Sequence, residues 1–214
     1  TLCPFAGPIR AIAAYPMNGI TGPRDNSLFG NPPARIPKGT KFAPGPDKRP
    51  SGSVELPIRR KVYIRIPNRK GTLDTKTALS YLLWVYRTGR KGSIVSHGIT
   101  TYVRRNGRLL IRLEPRRGRP IFIRVLRKLP LRRWSYIAVS YELRGAVGVF
   151  ELYLNSGRVL RRVFKGMSRF ILNTRGSPLV GGFSGRVACL RFYRAALTGR
   201  QLARRKKKCF RKCS

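Results

Sequence analysis

Acid is what this chain has least of. Seven carboxylates, Asp25, Asp47, Glu55, Asp74, Glu114, Glu142 and Glu151, stand against 47 Lys and Arg in 214 residues, a formal charge of +40. Paired one to one, those acids neutralise seven cations, and the remainder must face solvent or a partner. Glycoside hydrolysis needs two carboxyls facing one cleft, and no two of the seven recur at i, i+2. Each is expected to serve as a salt-bridge partner, so no catalytic residue is expected and the chain reads as a non-enzyme. Imidazole is scarcer still: His97 is the only one, and its neighbour Ser96 points the other way on a strand. A Ser–His triad is therefore not expected, and His97 reads as a strand-end or turn residue. The glycine-rich "LVGGFSG" lacks the helix and lysine of a phosphate loop. No cofactor is expected.

Other absences bound the setting. No run of about 18 apolar residues occurs, so no membrane-spanning helix is expected. There is no N-x-Ser/Thr sequon, and the chain begins at Thr1 with neither Met nor a signal-like apolar stretch, as a processed secreted protein would. Cysteines number four, Cys3, Cys189, Cys209 and Cys213. An even count near the ends and in one late strand suggests two disulfides, with three connectivities open, in an oxidising extracellular compartment. A metal site is not expected from them, because His97 is distant and the 209/213 spacing alone is weak.

What is abundant is arginine. It supplies 34 of the 47 cations, and its planar fork matches sulfate, phosphate and carboxylate bidentately where an ammonium does not. The charge names a class of partner, a polyanion that would release counterions on binding. Nucleic acid, sulfated polysaccharide, anionic lipid and acidic matrix protein all belong to that class.

Residues 16–50 are rich in Pro and Gly, which defeats ladders and helices and predicts a long surface loop with at most short edge strands. From residue 53 onward, period-two segments follow one another. In "KVYIRIP", Val62, Ile64 and Ile66 oppose Lys61, Tyr63 and Arg65; in "ALSYLLWVYR", both faces are apolar, as in a central strand covered on both sides. "NG" at 106–107 and "NSG" at 155–157 predict tight hairpin turns. Ten to twelve short strands with almost no helical periodicity predict an all-β fold, a two-layer antiparallel β-sandwich of jelly-roll type. It is expected to be one domain over residues 1–203 with a basic, Cys-containing tail at 204–214. Only "TGRQLARRKKK" could form a short helix.

The cations fall in clusters that make a candidate polyanion-binding set. Arg59, Arg60 and Lys61 precede one strand and Arg65 lies in it; Arg104, Arg105, Arg108 and Arg112 bracket a hairpin. Arg116, Arg117 and Arg119 fill the next turn, followed by Arg124, Arg127, Lys128, Arg132 and Arg133. The tail carries Arg204, Arg205, Lys206, Lys207, Lys208, Arg211 and Lys212. Strand neighbours two residues apart share a face at about 6.6 Å, so Arg108 and Arg112 can address one linear anion from one side. Ordinary solubility needs a charge of only about 2–8, so solvation does not account for the set. Tyr63 beside Arg65, and Tyr193 beside Arg191 and Arg194, interleave aromatics that could stack sugars or bases.

Three segments resemble laminin-G-like and pentraxin-like domains of the concanavalin A-like lectin/glucanase class. "AIAAYPMNG" is similar to the opening strand and loop; "TLDTKTALSYLLWVYRTGRKGSIVSHG" resembles the segment in which Trp84 takes the place of the family's core tryptophan. "LRRWSYIAVSYE…GVFELYLNSGRV" and "PLVGGFSGRVACLRFYRAALTGRQL" resemble the later hairpin and the closing strand. The resemblance spans roughly residues 8–203 and implies a jelly roll that binds glycans, lipids, steroids or proteins, often with calcium at one rim. Gly185 to Arg191 lack both acids of the family's closing motif, so no calcium site is expected. The leading expectation is a secreted module that binds sulfated or acidic polysaccharide. A matrix protein cross-linking acidic biopolymers in a shell, egg coat or adhesive, and an antimicrobial or membrane-acting protein, are the alternatives. Nucleic acid is possible and not favoured, since no nucleic-acid motif occurs.

Overall fold

The computed structural model describes residues 9–57, 62–89 and 91–208, with the side chains of Lys207 and Lys208 left out. Its strands are β1 Ala13–Tyr15, β2 Lys41–Ala43, β3 Ser53–Leu56, β4 Tyr63–Arg65, β5 Ala78–Arg87, β6 Gly92–His97 and β7 Ile99–Val103. There follow β8 Arg108–Leu113, β9 Ile121–Lys128, β10 Trp134–Arg144, β11 Val147–Leu154, β12 Gly157–Phe164, β13 Leu179–Gly181 and β14 Gly185–Tyr193. A single α-helix among the described residues, α1 Gly199–Lys208, closes the series.

The strands form two antiparallel sheets. One has eight strands, ordered β12-β11-β10-β5-β14-β3-β2 with β1 also on β14; the other has six, ordered β4-β13-β6-β7-β8-β9. Alternation decides which face each side chain takes. On β8 the pattern runs Arg108 out, Leu109 in, Ile111 in, Arg112 out, Leu113 in. The inward set of both sheets, among them Ile64, Leu79, Tyr81, Leu83, Ile111, Ile137, Phe150 and Phe192, interdigitates as the main core. Truncating one such fully buried aliphatic to Ala costs about 2–5 kcal/mol. This is the two-layer sandwich that the period-two segments predict.

Two local devices set registers. Asn155 and Ser156 join β11 to β12 with φ of 53° and 80°, the left-handed pair that a two-residue hairpin turn requires. In β14, register shifts between Ala188 and Arg191, where Cys189 takes φ 52° and is bound in a disulfide. This bulge re-aims the second half of the strand.

Trp84 departs from the core position that the resemblance implies. It lies on the outer face of the eight-stranded sheet, in a second cluster with Leu82, Tyr136, Tyr153, Tyr193, Leu197 and Leu202. The cover is α1. Thr198 and Gln201 start that helix as a capping box: Thr198 N donates to Gln201 Oε1 at 2.9 Å and Gln201 N to Thr198 Oγ1 at 3.4 Å. Leu202 then drops into the cluster, and its carbonyl accepts from the Tyr136 hydroxyl at 3.0 Å. The basic run through Lys208 is helical, within the segment that the sequence allows as a short helix.

Candidate functional site

The outer face of the six-stranded sheet gathers cations from three of its strands. Register places Phe122, Arg112, Thr100, Ser96, Leu179 and Arg65 in one row across β9, β8, β7, β6, β13 and β4. A second row runs Arg124, Leu110, Tyr102 and Ser93, and Lys128 lies opposite Arg108. With strands about 4.8 Å apart, Arg112 and Arg65 stand four spacings apart, roughly 19 Å, on one surface. Arg65, Arg108, Arg112, Arg124 and Lys128 are all exposed.

The face is nearly free of counter-charge. Arg112 Nε lies 3.7 Å from Glu114 Oε1, beyond hydrogen-bond reach. That carboxylate instead accepts from Thr100 Oγ1 at 2.6 Å, and Thr100 Oγ1 meets Ser96 Oγ at 2.9 Å. The Arg112 guanidinium leans over the Phe122 ring, 5.9 Å from its centroid. Arg65, Arg108, Arg124 and Lys128, four cations on one sheet face, take part in no ion pair among the described residues.

Other predicted cations lie around this face or away from it. Arg104 and Arg105 form the β7–β8 hairpin tip, and Arg132 and Arg133 precede β10; all four are exposed. Arg87, which the sequence pattern did not single out, brings these segments together. It is buried, with Nη2 donating to the Arg105 carbonyl at 2.6 Å and Nη1 to the Leu129 carbonyl at 3.4 Å, while Arg132 N donates to its own carbonyl at 2.8 Å. Arg117 and Arg119 are exposed in the β8–β9 loop, at the opposite end of those strands, whereas Arg116 is half-buried.

The helix cations divide. Arg204 is exposed, but Arg205 lies over the Tyr193 ring at 4.9 Å and donates Nη2 to the Ile9 carbonyl at 2.7 Å. Lys206 Nζ lies 5.2 Å from the Trp84 ring centroid and 6.0 Å from that of Tyr136. These two contacts hold α1 to the sheet, where the helix buries its apolar stripe. Tyr193 is buried beneath Arg205, whereas Tyr63 is exposed beside Arg65. Arg59, Arg60, Cys3, Cys209 and Cys213 lie outside the described residues, as do the side chains of Lys207 and Lys208.

The acids are not uniformly salt-bridged as expected. Asp47, Glu55, Glu114, Glu142 and Glu151 meet Arg partners within 4 Å. Asp25 instead organises its loop, accepting from Ala14 N at 2.7 Å, Ser27 N at 3.0 Å, Ser27 Oγ at 2.6 Å, Asn31 N at 2.9 Å and Asn31 Nδ2 at 2.7 Å. Asp74 accepts from Asn68 Nδ2 at 2.7 Å. Local backbone and amide donors outcompete distant guanidinium groups there. Among the described residues no three His, Cys, Asp or Glu side chains converge as a metal site would require.

His97 ends β6 and is buried, its Nε2 2.9 Å from the Leu73 carbonyl and its ring edge-on to Phe192 at 5.5 Å. Burial pushes its pKa below the usual histidine range, against the Leu73 carbonyl and Asp74, which act to raise it. Ser96 points to the opposite face, toward Thr100.

The family pattern described as the concanavalin A-like lectin/glucanases superfamily, of laminin-G type, matches residues 60–203. No curated protein matches the chain by sequence. Among solved structures, domain 4 of an extracellular arabinanase from Geobacillus stearothermophilus, in complex with arabinotriose, superposes with a TM-score of 0.66 at 16% identity. That match covers 92% of this chain and 98% of the other. A botulinum neurotoxin type C structure, described as depending on two ganglioside molecules for cell entry, superposes with a TM-score of 0.70 at 9% identity, covering 95% of this chain and 51% of that one. The binding domain of botulinum neurotoxin DC, in complex with rat synaptotagmin II, does so with a TM-score of 0.64 at 9% identity, covering 94% and 52%. The chain spans about half the length of the toxin structures, and at these identities the likeness is one of fold.

Proposed function

Because the chain belongs to the concanavalin A-like lectin/glucanases superfamily, we propose that it is a non-catalytic, carbohydrate-directed binding domain that works outside the cell on polyanions, chiefly sulfated or acidic polysaccharide. The observation that carries this reading is the outer face of the six-stranded sheet, where Arg65, Arg108, Arg112 and Arg124 share one surface with Tyr63, Tyr102 and Phe122. Strand register fixes the spacing of their Cα atoms, so a rod-like anion meets a preset array and only the side chains remain to be ordered. Arginine forks suit sulfate and carboxylate bidentately. Arabinotriose in complex with the arabinanase domain, a structure of the same fold, supports the sugar half of the reading.

The non-catalytic half rests on how the candidate acids and base are occupied. Glu151 receives Arg158, Arg161 and the Tyr153 hydroxyl, Asp25 holds its own loop, and His97 is sealed against Leu73.

The test compares retention on immobilised heparin, its desulfated form, a carboxylate polymer and double-stranded DNA across a salt gradient. Selective retention of the sulfated chain at salt that releases the other three is the expected result. Release from all four at one salt concentration overturns the reading, since charge without shape predicts that outcome.

A further inference from the structure

We infer that β9, an edge strand of the six-stranded sheet, takes up an extended acidic segment of another polypeptide as an added strand. This goes beyond the polyanion reading, because it uses backbone groups along an edge and not the guanidinium rows of the face.

The two sheets end in β12 and β2 and in β4 and β9. β2 and β4 are three residues long, and β4 is covered as well, since Arg35 and Arg65 exchange two backbone hydrogen bonds of 2.8 and 3.1 Å. β9 and β12 are eight residues long. A long edge leaves a row of backbone donors and acceptors unpaired, a template for another strand unless something guards it. β12 is guarded twice. Its register shifts between Leu152 and Tyr153, and Arg162, opposite the core residue Phe150, puts an exposed charge on the inner side of the sheet. A bulge and an inward-facing charge both oppose pairing.

The first half of β9 has neither device. Ile121, Phe122, Ile123 and Arg124 oppose Leu113, Arg112, Ile111 and Leu110 in unbroken register. Ile123 and Val125 are buried on the inner side, whereas Phe122 and Leu126 are 59% and 80% exposed. Among the described residues the backbone of Ile121–Lys128 bonds to β8 alone.

Charge selects the partner. Arg124, Arg127 and Lys128 are the charged residues of this strand, and none of them is in an ion pair among the described residues. A second copy is a poor occupant, because antiparallel pairing of two β9 strands sets these cations against one another and like charges directly opposite are destabilising. An acidic strand meets the same positions with the opposite sign. Alternating Glu and Val puts carboxylates on the outer side with Arg124 and apolar side chains on the inner side with Ile123 and Val125.

The experiment uses the whole chain and a fluorescein-labelled, end-blocked octapeptide of four Glu-Val repeats, read by fluorescence anisotropy. Two isomers carry four backbone N-methyl groups each, one on every Val and the other on every Glu. Residues in a strand turn their amides alternately to either side, so only one isomer keeps a row of N–H groups for β9. That isomer should bind within about threefold of the parent and the other at least tenfold more weakly. Arg124→Glu should weaken the parent at least tenfold, while Arg162→Glu on β12 changes it less than about threefold. Equal affinity of the two isomers overturns the proposal, since charge and apolar contact alone do not tell them apart. Lack of saturable binding at millimolar peptide overturns it too, and so does a dimer that the peptide disperses, which gives the edge to a second copy. The isomers differ only in their backbone, so their failure leaves the heparin selectivity that tests the polyanion reading untouched.

Discussion

The buried Arg87 guanidinium donates to the Arg105 carbonyl at 2.6 Å, so one interior cation fixes a hairpin tip whose own side chains are exposed cations. The same group reaches the Leu129 carbonyl, and Leu129 N returns a bond to Gly107 at 2.9 Å. The β7–β8 hairpin loop and the connection from β9 to β10 are thereby locked beside Arg108 and Lys128.

Replacing Arg87 with Met tests that lock. Hydrogen bonds to a charged group contribute about 1.5–3 kcal/mol each, so stability should fall by at least that amount. Urea unfolding followed by far-UV circular dichroism measures it. Arg87→Lys should recover only part, since an ammonium cannot span both carbonyls in the fork's geometry. Removing one positive charge also relieves self-repulsion. If Arg87→Met raises the midpoint, repulsion outweighs the two bonds and the lock is not structural.

Arg108→Gln, Arg112→Gln and Arg124→Gln should each leave the unfolding midpoint nearly unchanged, within about 0.5 kcal/mol, because all three side chains are exposed. Each should reduce the slope of log affinity against log salt by about one, whether heparin or DNA is the probe. Arg205→Gln is the internal control: its Nη1 and Nη2 already donate to the Gln201 and Ile9 carbonyls and its face lies on the Tyr193 ring, so the slope should barely move. Equal slope changes for all four would mean that charge alone binds, wherever it sits.

That contrast shows where the sequence was readable. Period-two alternation places Arg108 and Arg112 on one face of β8 and Leu109, Ile111 and Leu113 on the other, as found. Alternation within one strand says nothing of which strand lies next to it. That Arg65, far back in the chain, shares a row with Arg112 follows from β4 joining the sheet through β13, a long-range pairing with no local signature. The helix cations show a related limit. Their run looks uniformly solvated in one dimension, but the 3.6-residue turn sends Leu202, Arg205 and Lys206 toward the sheet and leaves Arg204 outside. Arg87 was hidden because a buried arginine and an exposed one are spelled alike, and only the carbonyls around it tell them apart.

Arg205→Gln combined with Lys206→Gln should loosen α1 without disturbing the main core. Cation–π contacts contribute roughly 0.5–2 kcal/mol each, and Arg205 adds its bond to Ile9. Amide exchange across Gly199–Lys208 should accelerate while β8 and β10 keep their protection, as hydrogen-exchange mass spectrometry can follow. Uniform acceleration across the sheets would instead make the helix part of the global folding unit.

His97 supplies a pH dependence whose sign is fixed by its burial. Its folded-state pKa lies below the ordinary value of 6.5, with Leu73, Asp74 and the Phe192 ring as the groups facing it. The unfolded chain therefore binds more protons than the folded one in the interval beneath 6.5. The stability linked to this group is complete above that pH and is lost progressively as the pH falls toward the folded-state value. Urea midpoints measured from neutral pH down to 5 should decline for the natural chain. The His97→Asn variant, compared at each pH, should show a shallower decline, because its amide keeps a donor for the Leu73 carbonyl but does not titrate. Parallel declines in both proteins would assign the acid sensitivity to groups other than His97. A shallower decline in the variant alone identifies the single imidazole as the group that sets the acid limit of the fold.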